Sequence, residues 1–349
     1  MLALVSLIVG SHNVQTFLLS AALSTTHLWF SVRTTTPLEI DAASGGTALR
    51  SSFFNAIWSR FCTNKGAPSC AACPLHTLCP VSAIVAPLRE ENTRGQDIPR
   101  PYVIVPPREE ARHYQPEERF SFGMTLIGNI VQLLPYILLS LPQLEAGGLG
   151  YFLAENRGKR GSFLVEKVET YHPFTSERQT IYEAGQTRAQ APAITIHAEE
   201  WAQYATQLSP SQVTIRFITP LRLVDREHLV KHIIFRPFIH RLLERYLALE
   251  LHYGNQQTSM TWEEKEAYLQ KAASVVCTVD HTTWLEVESY SNRQKRSTPI
   301  SGLMGEATFE GHLAPFLNLL LVGELIHVGK NVVKGNGKYH LVTQQVQPH

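Results

Sequence analysis

Four cysteines lie close together in this sequence, at a spacing that suits metal binding. Cys62, Cys70, Cys73 and Cys79 are separated by seven, two and five residues, and Cys277 stands far from them. A Cys-x-x-Cys step presents two thiolates to one ion from a tight turn. The spacing predicts a structural zinc site; an iron–sulfur cluster and unrelated buried thiols are the alternatives. A site closed by four cysteines would be structural and not catalytic.

A second stretch, residues 326–342, combines glycine and lysine in a pattern that suits an anionic ligand. Three glycines are interleaved with three lysines: Gly329, Gly335 and Gly337, and Lys330, Lys334 and Lys338. Glycines let backbone amides approach a ligand, and lysines add positive charge. A P-loop is excluded because Tyr339 follows Lys338, and the dinucleotide fingerprint is excluded because His340 replaces its last glycine. For the loop taken alone, a hairpin with solvated lysines is the commoner outcome.

Two further clusters of basic residues interrupt a chain that is nearly neutral as a whole. The clusters are Arg157, Lys159 and Arg160, and Arg293, Lys295 and Arg296. The formal net charge is +1 over 349 residues, so any nucleic-acid site must be a local patch. Each cluster taken alone is typical of a solvated loop. The length predicts about two domains.

The first 32 residues contain no Lys, Arg, Asp or Glu, which raises the question of a signal peptide. Residues 2–9 are apolar, but they lack the positive residues of a signal sequence, and Ser11, His12 and Asn13 interrupt the run. No apolar stretch reaches the length of a membrane span. We expect a cytoplasmic protein with an apolar N-terminal extension over residues 1–26; secretion is the less favoured alternative.

The elements that would position the candidate residues follow from hydrophobic spacing. The pattern predicts strands at residues 27–32, 38–40 and 213–218, and helices at residues 49–61, 128–144 and 236–253. Pro135 and Pro142 should bend or interrupt the second of these helices. Residues 184–193 have the composition of a linker.

Both halves of the chain run through a strand, glycine, an apolar helix, a basic glycine-containing loop and a strand, which indicates two copies of one plan. A sheet with helices on one face, repeated, is the ferredoxin-like arrangement of many RNA-recognition modules. We therefore predict an α+β fold with two tandem ferredoxin-like (RRM-like) domains, at residues 27–190 and 191–349. The first would carry the cysteine-rich, metal-binding insertion at residues 62–79.

Several motifs occur in an order that resembles a known family. They are ALRSSFFNAIWSRF followed by the four cysteines, then IPRPYVIVPP, FSFGMTLIG, GGLGYFLAENRGKRGSFLVEKV, TIRFITPLRL, ESYSNRQKR, and the C-terminal segment that contains the glycine-rich loop. This series resembles the CRISPR-associated repeat-RNA endoribonucleases, the Cas-six family of the RAMP superfamily. The resemblance covers nearly the whole chain from about residue 27.

The resemblance implies an enzyme that binds CRISPR repeat RNA and cuts the transcript once per repeat to yield guide RNAs. Its reaction would use the substrate's own 2′-hydroxyl and no catalytic metal. The alternative is a catalytically inactive RAMP subunit that holds guide RNA within an effector complex. A zinc-dependent nuclease is disfavoured, because a four-thiolate site is closed. No membrane association is expected. The sequence leaves open whether the protein acts alone, as a homodimer or with other Cas effector subunits.

The resemblance also implies a catalytic histidine in or just after the first helix, but Phe54 and Asn55 occupy its middle. Three histidines elsewhere are candidates. His327 precedes the glycine-rich loop at a position that matches the family, His76 lies between the cysteines, and His27 precedes the first strand. Their alternatives are structural: a hydrogen-bonded residue that stabilises the loop for His327, a surface residue on the zinc loop for His76, and a packed or exposed histidine for His27.

Predicted RNA contacts combine phosphate-binding cations with one stacking aromatic residue. Arg50 begins the first helix, where anions are favoured, and Tyr290 could stack on a base. The full set is Arg50, Lys159, Arg160, Tyr290, Arg293, Arg296, Gly329, Lys330, Lys334, Gly335, Gly337 and Lys338. For the residues around Tyr290, a turn with solvated charge is the alternative.

Overall fold

The computed structural model describes residues 23–41, 45–87, 98–107, 112–186, 188–254, 260–291 and 296–342. The chain divides into two compact units. The N-terminal unit comprises Thr25–Thr195 with Val333–Gly335, and the C-terminal unit comprises Ile196–Val332 with the described residues before Thr25 and after Gly335. Most of the predicted N-terminal extension, residues 1–22, lies outside the described residues. Three residues of the glycine-rich loop therefore belong to the N-terminal unit, although no sequence pattern indicated it.

Nine strands lie in the N-terminal unit as described. They are β1 (Thr25–Thr34), β2 (Leu38–Ile40), β3 (Tyr102–Val105), β4 (Arg112–Tyr114), β5 (Arg119–Ile127), β6 (Leu149–Leu153), β7 (Lys159–Gly161), β8 (Phe163–Tyr171) and β9 (Arg178–Glu183). Five of them form an antiparallel sheet with the order β3-β5-β1-β8-β9. Two ribbons, β2–β4 and β6–β7, lie outside that sheet.

Four α-helices accompany these strands. They are α1 (Gly45–Phe61), α2 (Pro80–Val85), α3 (Leu134–Leu139) and α4 (Leu141–Gly147), with 3₁₀ turns at Gly128–Leu133 and Ala154–Asn156. The α1 residue Phe53 is buried and packs edge-on against Phe30 and Phe122, whose rings stack at 4.7 Å between centroids. Each such aromatic pair adds about 0.5–1.5 kcal/mol to the gain from burial alone. The aromatic cluster therefore fixes α1 on the sheet.

The predicted long apolar helix at residues 128–144 is broken into three pieces. A 3₁₀ turn is followed by α3 and then by α4, and the axis bends by 56° between Leu139 and Leu141. Pro135 and Pro142 lie in the first turns of α3 and α4, where the missing N–H costs nothing. The prolines therefore interrupt the helix, as their positions predicted.

The C-terminal unit contains eight described strands and four α-helices. The strands are β10 (Gln212–Leu221), β11 (Leu223–Asp225), β12 (His228–Val230), β13 (Val276–Leu285), β14 (Glu288–Ser291), β15 (Arg296–Pro299), β16 (Gly302–Glu310) and β17 (Tyr339–Val342). The helices are α5 (Ala198–Ala205), α6 (Phe235–Tyr253), α7 (Trp262–Ala273) and α8 (Leu317–Ile326), with a 3₁₀ turn at Ala314–Phe316. A further 3₁₀ turn, Val332–Lys334, begins in this unit and ends among the loop residues of the N-terminal unit.

Four of these strands form an antiparallel sheet with the order β13-β16-β10-β17. Numbered along the chain, the order is second, third, first and fourth, and helices follow the first and third strands. Antiparallel sheets combined with helices in both units confirm the α+β class. Ribbons of β11–β12 and β14–β15 extend from this unit.

No single helix in the described part of the chain is both long and apolar enough to cross a membrane. Gly128–Leu139 and Leu141–Gly147 pass that test only as a bent pair.

Candidate functional site

A cavity of about 620 Å³ lies in the N-terminal unit beside the β6–β7 ribbon. Its lining residues come from α1, the end of α4, the β6–β7 ribbon and the segments that flank β1 and β8. They are Thr36, Asn55, Ala146, Gly147, Phe152, Glu155, Asn156, Arg157, Gly158, Lys159, Arg160 and Ser162. A volume of this size is typical of sites for small molecules, so one nucleotide would fit.

Three cations line this cavity together with a single described acid. Arg157, Lys159 and Arg160 come from the turn and second strand of the ribbon, and Glu155 precedes them. Arg157 adopts a left-handed conformation, with φ of 56°, and Gly158 follows with φ of 72°. The net positive charge of the lining favours an anionic ligand. The structure thus places the predicted contacts Lys159 and Arg160 in one cavity and adds Arg157.

Side-chain contacts fix the ribbon against the segment before β2. Asn156 Nδ2 donates to the Pro37 carbonyl oxygen at 2.7 Å, and the Ser162 amide donates to Thr36 Oγ1 at 2.8 Å. A β-carbon at Gly161 would lie 2.5 Å from the Pro37 carbonyl oxygen, so this backbone approach requires glycine. The cations are therefore presented by a rigid support.

One wall of the cavity combines an aromatic ring with a guanidinium group. The Phe152 side chain is 63% exposed, and the Arg160 guanidinium carbon lies 5.0 Å from the centre of its ring. The Arg160 Nε is buried without a described hydrogen-bond partner. Exposed aromatic rings next to cations are typical of surfaces that bind single-stranded nucleic acid.

The helix side of the cavity carries Asn55, from the middle of α1, a helix that contains no histidine. Sequence reasoning missed a different histidine close by. His113 Nε2 lies 3.1 Å from Glu155 Oε1, and its Nδ1 lies 3.6 Å from Glu39 Oε2. Glu39 and His113 are cross-strand partners in the β2–β4 ribbon. No local motif marks His113, so only the strand pairing could have revealed it.

A second group of cations gathers in the N-terminal unit around the predicted contacts Arg50 and Lys334. Burial lowers the pKa of Lys334, and the nearby charges of Arg50 and Arg100 lower it further. A β-carbon at Gly46 would collide with the Lys334 carbonyl, so Lys334 packs on α1 one turn before Arg50. Like charges held this close favour a bound anion. Arg100 was not predicted from the sequence.

The rest of the glycine-rich loop is organised by its own backbone. A β-carbon at Gly337 would collide with the Val328 carbonyl, and φ there is 69°. Gly335, with φ of 92°, would place a β-carbon 2.6 Å from Pro106 Cδ. Both glycines are buried, so here glycine serves close packing and not the approach of a ligand. Lys330 is exposed and Lys338 is half-buried.

His327 is buried at the C-terminal end of α8, with φ of 62°. Its Nδ1 has no described hydrogen-bond partner. Burial, followed by the nearby charges of Lys338 and Arg245, holds the pKa of His327 well below its ordinary value. The ring is therefore neutral at neutral pH and shielded from solvent. This position suits the structural alternative better than a base that must reach RNA.

His27 is a buried histidine of β1 whose two ring nitrogens both meet hydroxyl groups. Nε2 lies 3.1 Å from Thr25 Oγ1, and Nδ1 lies 2.9 Å from Thr125 Oγ1. The side chain is 3% exposed, which leaves no surface for a substrate. The packed-histidine alternative accounts for His27.

His76 is half-buried in the turns between the cysteines. Its Nδ1 lies 3.1 Å from the Cys73 carbonyl oxygen. The four cysteines are also half-buried and carry no disulfide among the residues described: Cys62, Cys70, Cys73 and Cys79. Nowhere in the described ranges are three of His, Cys, Asp or Glu arranged to hold a metal ion. Four thiolates suit zinc chemically, and the zinc site stays a prediction.

The remaining predicted contacts lie on the β14–β15 ribbon. Tyr290 and Arg296 belong to its two strands, with Tyr290 opposite Ser297 and Arg296 opposite Ser291. Arg293 lies outside the described residues. The structure therefore places Tyr290 and Arg296 on one ribbon, and their contact with RNA stays a prediction.

Two family models match the chain. Residues 215–339 match the model of the CRISPR-associated endoribonuclease Cas6, and residues 23–194 match a model described as an N-terminal domain. No curated protein matches the chain.

Solved structures that resemble the whole chain include several Cas6 proteins. A Cas6 product complex is 14% identical, with a TM-score of 0.53, over 91% of this chain and 99% of that one. Thermus thermophilus Cas6 is 13% identical, with a TM-score of 0.50, over 93% and 100%. A partial Cas6-RT-Cas1--Cas2 complex is 12% identical, with a TM-score of 0.56, over 95% of this chain and 48% of that chain. At these identities the likeness is one of fold.

Proposed function

We propose that this chain, whose residues 215–339 match the Cas6 model, is a Cas6-family endoribonuclease that binds CRISPR repeat RNA and cleaves the transcript to release guide RNAs. The observation that carries this proposal is the cavity that gathers Arg157, Lys159 and Arg160 beside the exposed ring of Phe152. Phosphate binding by cations and base stacking on an aromatic ring are the two elements of sequence-tolerant RNA binding.

The proposed chemistry is attack by a 2′-hydroxyl on the adjacent phosphorus. The new bond joins the 2′-oxygen to phosphorus, the bond from phosphorus to the 5′-oxygen breaks, and the products are a cyclic phosphate and a 5′-hydroxyl. A base takes the 2′-hydroxyl proton and an acid gives one to the leaving oxygen. No metal is required for either transfer. Negative charge grows on the phosphorane, so cations aimed at it lower the barrier.

We propose that the cations of the cavity stabilise this phosphorane. His76 lies outside the described lining of the cavity, and it is the proposed base because His27 and His327, the other two predicted histidines, are buried. Arginine forms two parallel hydrogen bonds with phosphate, which suits Arg157 and Arg160. The Nδ1 of His76 faces the Cys73 carbonyl oxygen, so this nitrogen carries the proton of the neutral ring. Its Nε2 then has the lone pair that a base needs. Replacing His76 by alanine should slow cleavage on the order of 10²-fold or more and leave RNA affinity unchanged.

A second candidate function is RNA holding without cleavage. It is favoured by the lining of the cavity, in which none of the described residues is a histidine. The same cations would then bind guide RNA within an effector complex.

One experiment tests cleavage and separates the two candidates. The purified chain is incubated in EDTA with a CRISPR repeat RNA, and with the same RNA carrying a 2′-deoxy nucleotide before the scissile phosphate. Cutting of the first RNA alone is the expected result. Cutting of both would contradict 2′-hydroxyl attack, and tight binding without cutting would establish the holder.

We propose that both units are ferredoxin-like, because the C-terminal strand order and helix positions follow the βαββαβ pattern. Other Cas proteins are proposed partners, since one matched structure is a partial Cas6-RT-Cas1--Cas2 complex. A homodimer and a cytoplasmic location stay predictions.

The proposed structural zinc has its own test. Metal analysis of the purified chain should find about one zinc per chain, and Cys73→Ser should lower that content. Iron and acid-labile sulfide in place of zinc would identify the cluster alternative. The absence of any metal, with all four thiols reactive, would remove the site.

A further inference from the structure

The C-terminal unit carries a cluster of cations around one tryptophan that the proposed function has not used. Trp284 lies near the end of β13 and is half-buried. The Lys231 Nζ lies 5.6 Å from the centre of its ring, and the Arg222 guanidinium carbon lies 5.9 Å from it. The electrons of an indole ring attract cations at such distances. Residues distant in sequence therefore converge on one ring.

Hydrogen bonds hold both the ring and the guanidinium in place. Trp284 Nε1 donates to Glu286 Oε1 at 2.7 Å, and Ser301 Oγ donates to Glu286 Oε2 at 2.7 Å. Arg222 Nη1 donates to the Ser301 carbonyl oxygen at 3.3 Å. Because Ser301 contacts both Glu286 and Arg222, the indole and the guanidinium share one support.

The backbone of the glycine-rich loop contacts this cluster at Arg222. The Lys330 amide donates to the Arg222 carbonyl oxygen at 2.9 Å. Gly329 has φ of 90°, and a β-carbon there would lie 2.6 Å from the same oxygen. Only glycine allows this approach, so the loop is fixed where Lys330 begins. The Lys330 side chain is exposed.

The charges of the cluster determine what it can bind. Arg222, Lys231 and Lys330 are positive and Glu286 is negative, which leaves a local excess of two positive charges at a solvent-facing surface. Trp284 is half-buried and two of the cations already lie over its ring, so the ring orders these cations and leaves no free face for a base. It differs in this from the Phe152 ring, which is 63% exposed and has a single cation over it. A phosphate fits this surface better than a nucleobase does.

We propose that Arg222, Lys231 and Lys330 form a clamp for the phosphate backbone of RNA, with Trp284 as the positioning residue that aligns the first two. The proposal rests on the proposed function and names a second RNA contact for it, in the other unit of the chain. The clamp recognises the backbone and adds affinity without sequence preference.

The test is the salt dependence of repeat-RNA binding by the full chain. Loss of one phosphate contact to single-stranded RNA lowers the slope of log K against log salt by about 0.7. Lys231→Ala should show that change and weaken binding about fivefold, the upper range for an exposed ion pair. Lys271→Ala removes an exposed lysine from the end of α7 and is the control with equal change of charge. Equal slopes and affinities for the two variants would overturn the clamp.

Two replacements of Trp284 test its positioning role. Trp284→Phe keeps a ring for the cations and should retain most of the affinity. Trp284→Leu should reproduce the lower salt slope of Lys231→Ala, and a wild-type slope in this variant would refute the positioning role. Unfolding is checked by circular dichroism, and Lys231→Ala, an exposed change, keeps the test independent of folding. If the wild-type chain itself fails to bind repeat RNA, the proposed function is refuted. If the wild type binds and the variants bind with the same affinity and salt slope, only the clamp is refuted.

Discussion

The β6–β7 ribbon and the glycine-rich loop look alike in sequence and differ in structure. Both combine glycines with closely spaced cations. In the ribbon, Arg157, Lys159 and Arg160 line an open cavity, and Gly158 has no atom near its missing β-carbon. In the loop, Gly335 and Gly337 are buried against neighbouring backbone or proline. Glycine next to lysine therefore does not by itself identify a ligand site. The atoms that surround the glycine determine whether it serves ligand binding or close packing.

The largest expected effect separates the glycines of the two regions. Gly337→Ala combines positive φ with a collision at the Val328 carbonyl and should cost about 3 kcal/mol or more of unfolding free energy. Gly158→Ala has positive φ but open space and should cost about 1 kcal/mol. Urea denaturation of both variants measures the difference. Equal losses would show that the loop is no more tightly packed than the ribbon.

A smaller effect concerns His327 and pH. The folded pKa of this residue lies below its ordinary value, so below about pH 6.5 the unfolded chain binds a proton that the folded chain does not. The stability tied to His327 is thus complete above that pH and is lost as pH falls, by up to about 1.4 kcal/mol per pH unit.

His327→Asn should remove this dependence, and Asn tolerates positive φ. Denaturation curves of wild type and variant, compared from neutral to mildly acidic pH, measure it. Parallel stability profiles would contradict the burial of a neutral ring.

The smallest effect concerns Phe152 in the ribbon. Phe152→Ala should weaken repeat-RNA binding by about 1 kcal/mol, the lower range for a stacked base. Leu78→Ala, which truncates an 87% exposed side chain between the cysteines, is the matched apolar control. Titration of fluorescent RNA measures both. An equal response of the two variants would mean that no base stacks on Phe152.

Local spacing predicted the elements of the fold well. The helix predicted at residues 49–61 is α1, extended to Gly45, and the strand predicted at residues 213–218 lies within β10. The periodicity of apolar residues indicates which face of a helix or strand packs against the core, and prolines indicate where helices end. These are properties of a few consecutive residues, so they are readable without the structure.

The site was predicted less completely, because it depends on pairing between distant segments. His113 reaches Glu155 only through the β2–β4 ribbon, and Lys231 reaches Trp284 only through the C-terminal packing. The burial of polar residues could not be predicted from the sequence either. His27 and His327 are buried by residues that are distant in sequence, so no hydrophobic periodicity indicates it. Charge clusters such as Lys159 and Arg160 were visible, since their members are adjacent in sequence.

The most direct measurement of the central claim is single-turnover cleavage of repeat RNA in EDTA by a variant that lacks the three cavity cations. Arg157, Lys159 and Arg160 are replaced together by alanine, and Arg188→Ala, an exposed arginine outside the cavity, is the control. If the cations stabilise the phosphorane, the triple variant cleaves on the order of 10²-fold or more slowly, while the control cleaves like wild type. Cleavage by the triple variant at the wild-type rate would contradict the account.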